Sequence, residues 1–81
     1  MHTDSSQVAW LLQDVCVKVG FCSAARDLEH FEQLVSQGPD AFADAILVKE
    51  GMNPEYEKRW RRELRAFVAA RFAHWGETGA A

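Results

Sequence analysis

Two thiols and one imidazole, Cys16, Cys22 and His30, are the groups in this sequence best suited to ligate a soft metal or to carry redox chemistry. Cys16 falls near the end of one apolar repeat, Cys22 in the glycine-containing stretch after it and His30 in the next repeat, so a helical hairpin would gather them at one end. Their spacing, C-x5-C-x7-H, matches none of the usual zinc patterns, and the next similar ligand is the distant His74. A Cys16–Cys22 disulfide needs Cα atoms within about 7 Å, which a helix end folding back across Gly20 would allow. No C-x-x-C is present to depress a thiol pKa, and two cysteines are too few for a disulfide scaffold. The expectation is therefore a pair of reduced thiols filling small gaps near a turn, with a metal- or thiol-linked sensor built on Cys16, Cys22 and His30 as the alternative.

The run KRWRRELR, residues 58–65, sets arginines beside a tryptophan, a pairing that nucleic-acid binders use for phosphate contact and stacking. Lys58, Arg61, Arg62 and Arg65 nevertheless fall opposite Tyr56, Leu64 and Phe67, where a solvated helix face belongs. Glu55, Glu57 and Glu63 dilute the field, and a pI near 5.5 disfavours a phosphate-binding domain, so nucleic-acid binding stands as a second alternative. A membrane-surface helix is disfavoured because Trp60, Phe67 and Phe72 are needed for the core of so small a domain. For catalysis, neither a nucleophile with a base, nor paired carboxylates, nor a glycine loop before a helix stands out. His2, His30 and His74 are scattered, and the glycines at 20, 38, 51, 76 and 79 fall at expected helix ends or in the tail. The chain reads as a non-enzyme without cofactor.

The elements that would position these groups follow from apolar spacing. Val8, Leu11, Leu12, Val15 and Val19 make one helical face, which Trp10 and Val17 broaden, after a capping-rich start at Thr3 to Ser6. Ser23 is placed to cap a second helix, where Ala24, Leu28, Phe31 and Val35 share a face with Leu34 beside them. Gly38-Pro39 ends it and opens a third, carrying Phe42, Ala45, Ile46 and Lys49, which Gly51 stops. Asn53-Pro54-Glu55 is the strongest helix start, and Tyr56, Trp60, Leu64, Phe67, Val68, Phe72 and Trp75 line the longest face until Gly76 breaks it. The spacing predicts an all-α bundle of four helices at residues 5–19, 23–36, 40–50 and 54–75, with mobile tails at 1–4 and 77–81.

With 81 residues, 48% of them hydrophobic, the chain has material for one domain and one core. No uncharged apolar run approaches the roughly 20 residues of a membrane span, and the N-terminal stretch lacks a secretory pattern, so a cytoplasmic protein is expected. The net charge of -3 conceals a split, with eight acids against three bases in residues 1–51 and four against six in residues 52–81.

Leu11 to Leu34 with its VCVKVGFC, followed by DAFADAILVKEGMNP, resembles small bacterial proteins of unknown function that share a G-F-C turn and an E-G-x-x-P junction. In those proteins a proline follows soon after the cysteine, whereas Ser23-Ala24-Ala25 follows here. The resemblance carries no activity. By elimination, the expected function is protein–protein interaction, as a homodimer, adaptor, inhibitor or immunity-type protein. A fourth helix that outruns the bundle nominates Phe72 and Trp75, with Arg61 and Arg65 beside them, for the interface.

Overall fold

Four helical stripes become four α-helices in the computed structural model, which describes the backbone of residues 5–79 and the side chains of residues 6–75. These are α1 (Ser5–Val19), α2 (Leu28–Leu34), α3 (Pro39–Lys49) and α4 (Lys58–Gly79), with 3-10 turns at Ala25–Asp27 and Val35–Gln37. No strand occurs among the described residues. The expected tail 1–4, the candidate caps Thr3 and Asp4, and residues 80–81 lie outside the described residues. None of the helices described is long and apolar enough to cross a membrane.

The ends obey local chemistry. Gly20 takes φ 92 and donates its N–H to the carbonyls of Val15 and Cys16, ending α1 where expected. The second segment is shorter than its apolar repeat implies. The Asp27 carboxylate, rather than Ser23, accepts the Ala24 N–H at 2.9 Å, fixing a 3-10 entry, and the Ser36 hydroxyl donates to the Gln33 carbonyl where the helix tightens again. Gly38 at φ 100 then turns the chain, and Pro39 opens α3.

The cap signature at Asn53 builds something other than the first turn of α4. Asn53 Oδ1 accepts the Glu55 N–H at 2.9 Å while its carbonyl accepts the N–H groups of Tyr56 and Glu57 at 3.0 Å, closing a separate turn on Asn53. The next carbonyl to accept from four residues on is that of Glu57, from Arg61, so α4 starts at Lys58 and Tyr56 is left 81% exposed. At the other end Gly76 does not break the helix. A mid-helix glycine costs only about 1 kcal/mol relative to alanine, and residues 77–79, expected as tail, continue α4.

Every helix feeds one core: Val8, Leu11, Leu12 and Val15 from α1, Phe31 from α2, Phe42, Ala43, Ile46 and Leu47 from α3, and Leu64, Val68 and Trp75 from α4. An aromatic series crosses it. Phe31 meets Phe42 at 5.0 Å, Phe42 meets Phe72 at 5.6 Å, and Phe72 stacks on Trp75 at 5.0 Å. Phe21, from the α1–α2 connection, lies against Trp60 at 5.2 Å. Helix α3 makes its most extensive contact with α4, whose 22 residues set the 39 Å long axis of the molecule. Trp10 and Val17, expected to broaden the α1 core face, instead point outward, 63% and 75% exposed. At about 100° per residue both stand some 150° or more from the line through Val8 and Val15, too far round to reach the core.

Candidate functional site

Helix α1 ends at a reversal that brings its last cysteine back to the next. Gly20 supplies the left-handed residue, and the Cα atoms of Cys16 and Cys22 come within 4.2 Å, their sulfurs joined as a disulfide. The expectation of reduced thiols is thereby corrected: a loop this short across a positive-φ glycine holds the two side chains together. Lys49 of α3 donates from Nζ to the Cys22 carbonyl at 2.6 Å and pairs with the Glu50 carboxylate, fastening the turn to the next layer. Cys22 is exposed and Cys16 half-buried. With both sulfurs bonded to each other, neither is a thiolate for a metal. His30 lies exposed on α2, its ring edge-on to Phe31 at 5.7 Å. Among the described residues no three His, Cys, Asp or Glu side chains gather closely enough to hold a metal.

Beside the disulfide opens a groove of about 310 Å³, lined by Ala9, Leu12, Gln13 and Cys16 of α1 and by Ser23, Ala24, Ala25 and Leu28. It is there because small side chains face one another across it, Ala9 on one wall and Ser23-Ala24-Ala25 on the other. No lining residue is charged. The Ser23 hydroxyl is buried at its edge and finds no hydrogen-bond partner among the described residues, an uncompensated cost of about 1 to 3 kcal/mol. Trp10 and Val17 stand on the adjacent strip of α1.

The four residues expected at an interface are engaged within the chain. Asp44 on α3 accepts hydrogen bonds from Arg61 at 3.3 and 3.1 Å and from Arg65 at 3.2 and 2.8 Å, and Arg65 also reaches Asp40 at 3.5 Å. The Arg65 hydrogen bond is the main influence holding the Asp44 carboxyl below its usual range, with Arg61 adding to it against partial desolvation. Asp44 in turn raises Arg65. Trp75 is only 6% exposed, stacked on a half-buried Phe72, so the end of α4 that bears them is covered by the chain itself. Farther along, Arg71 bonds Asp14 of α1 and, like Lys18, lies over the Phe67 ring at 5.7 Å. Much of the basic strip is thus spent on internal acids and rings. Lys58 and Arg62 remain on the solvent side, while Arg59 pairs with Glu63.

In fold, the chain is an all-α bundle with one short disulfide-closed turn and an apolar groove beside it. No family model, no curated protein and no solved structure matches it. The groove was not anticipated from sequence. Its signal was there nonetheless, in a tryptophan off the apolar stripe of α1 and a run of three small residues where a cap was expected.

Proposed function

We propose that this chain is a small, cytoplasmic, non-enzymatic interaction module whose contact surface is the outward strip of α1 together with the groove beside it. The observation that carries the reading is Trp10: a tryptophan 63% exposed on α1, next in sequence to Ala9, which lines an uncharged, apolar groove. Large aromatics at the edge of an apolar concavity are the commonest anchors of protein interfaces. This moves the contact surface away from Phe72, Trp75, Arg61 and Arg65, whose partners lie inside the domain. Replacing Trp10 by Ala tests it. The circular dichroism spectrum and unfolding midpoint should hold while binding to a protein partner or to itself is lost; a variant that unfolds instead would make Trp10 structural and end the proposal.

A thiol-linked role is the second reading, favoured by one specific observation, the bonded Cys16–Cys22 pair. In a glutathione-poised cytoplasm such a bond opens and closes with the redox state, so the protein would report that state. Its metal version is decided by elemental analysis of the reduced protein purified without chelator: no stoichiometric metal removes it. The resemblance to small bacterial proteins agrees with either reading and brings no activity.

A further inference from the structure

Resting on the thiol-linked reading, we infer that the reduced pair reacts in a fixed order: Cys22 captures an oxidised small thiol of the glutathione class, and Cys16 resolves the mixed disulfide to close the bridge. The order follows from an inequality in how the fold places the two residues. Both lie in one short turn, yet Cys22 is exposed in the connection beyond Gly20, whereas Cys16 is half-buried in the last turn of α1 and shares a groove wall with Leu12 and Gln13. Exchange requires a thiolate that the incoming disulfide can reach, and the three sulfurs must line up. A small disulfide that carries a tripeptide-sized group on each sulfur meets fewer obstacles at Cys22.

The turn then delivers the second thiol to the first. Gly20 donates its N–H to the carbonyls of Val15 and Cys16, and Lys49 Nζ holds the Cys22 carbonyl at 2.6 Å. Neither contact involves a sulfur, so both persist in the reduced chain and keep the two Cα atoms near their 4.2 Å separation. A short flexible tether alone gives an effective concentration of mM order, and a turn pinned at both ends gives more. Resolution by Cys16 therefore outpaces attack by a second small thiol present below that range.

In the first step the Cys22 thiolate, its proton passed to water, attacks one sulfur of the small disulfide. A bond forms between them, the small disulfide's own bond breaks, and one small thiolate leaves with the electron pair. In the second step the Cys16 thiolate attacks Cys22 Sγ, the bridge forms, and the other small thiolate leaves. The departing thiolates take up the two protons released, so the protein dithiol is oxidised and one small disulfide is reduced to two small thiols.

The test uses the intact chain, reduced and freed of reductant, then treated with glutathione disulfide, quenched in acid at intervals and mapped by peptide mass spectrometry. Cys22 should carry the first mixed disulfide, about tenfold ahead of Cys16, and should pass it on to the closed bridge. Cys16→Ser should hold the mixed disulfide on Cys22 without resolving it, and Cys22→Ser should take one up about tenfold more slowly than Cys16→Ser. If either variant fails to fold, sub-stoichiometric alkylation of the reduced wild-type chain decides, with Cys22 labelled about tenfold faster than Cys16. In concentrated urea the two rates should converge, because the inequality belongs to the fold. Equal capture, preference for Cys16, or a preference that survives in urea overturns the inference and leaves the thiol-linked reading standing so long as the bridge closes. A mixed disulfide that persists on Cys22 of the wild-type chain removes Cys16 as the resolving group and overturns the inference as well. A reduced chain whose thiols never bridge under the small disulfide overturns both.

Discussion

Opening the Cys16–Cys22 bridge is a perturbation whose effect can be worked from chain statistics. The two residues are six positions apart, so the closed loop holds about 7 residues. The loop-entropy relation then gives roughly 8 cal/mol/K removed from the unfolded chain, or about 2.4 kcal/mol of stability at 25 °C. The native turn should survive reduction, because Gly20 keeps its hydrogen bonds to Val15 and Cys16 and Lys49 keeps its hold on the Cys22 carbonyl. The loss therefore belongs to the unfolded state. For a small domain with a urea dependence of about 1 to 3 kcal/mol per molar, the midpoint should fall by about 1 to 2 M on adding reductant, with little change in the far-ultraviolet spectrum. A Cys16→Ser/Cys22→Ser double variant should match the reduced wild type and ignore reductant. The reasoning is refuted if non-reduced protein titrates two free thiols, or if reductant leaves the midpoint where it was.

Other consequences can be checked with the same unfolding assay. Phe42→Ala removes a fully buried ring lying between Phe31 and Phe72 and should cost about 3 to 5 kcal/mol, enough to leave the variant largely unfolded at 37 °C. Trp75→Ala should likewise destabilise the fold by about 3 kcal/mol. Because the Asp44 carboxyl is depressed in the native state, its contribution is complete above about pH 5, where the unfolded group is ionised, and disappears as acid titrates it in the folded protein. Asp44→Asn should be less stable than wild type by about 1 kcal/mol at pH 7, partial exposure limiting the effect, and the gap should narrow as the pH falls below the ordinary carboxylate range. Gly38→Ala places a side chain at φ 100 with nothing nearby to strike, so its cost, about 1 to 3 kcal/mol, should be purely conformational and leave the sites of limited proteolysis of the native protein unchanged.

The architecture was legible because each helix carries its own stripe: Val8, Leu11, Leu12 and Val15 lie inside as their spacing requires, and α1 spans residues 5–19 as read. What failed to read was decided by single side chains in competition with the backbone. Asp27 displaced Ser23 as the second cap, and Asn53 closed a turn of its own ahead of α4. Trp10 looked like core because hydrophobicity was counted without angle. The disulfide needed the direction of the chain after Gly20, which composition does not hold, and the arginines looked free because their acid, Asp44, is contributed by a different helix.

Asp44 also bears on where α4 sits along α3. A slip of α4 along α3 by one turn, about 5.4 Å, would carry Phe72 off Phe42 and also disturb the arginines on Asp44. Such a slip one way would bring Ala69 into the place of an arginine and forfeit half the grip on the carboxylate; the other way would press Glu57 against it. The acid thus works as a ratchet tooth on the longest helix, reinforcing the axial setting that the buried aromatic contacts already favour.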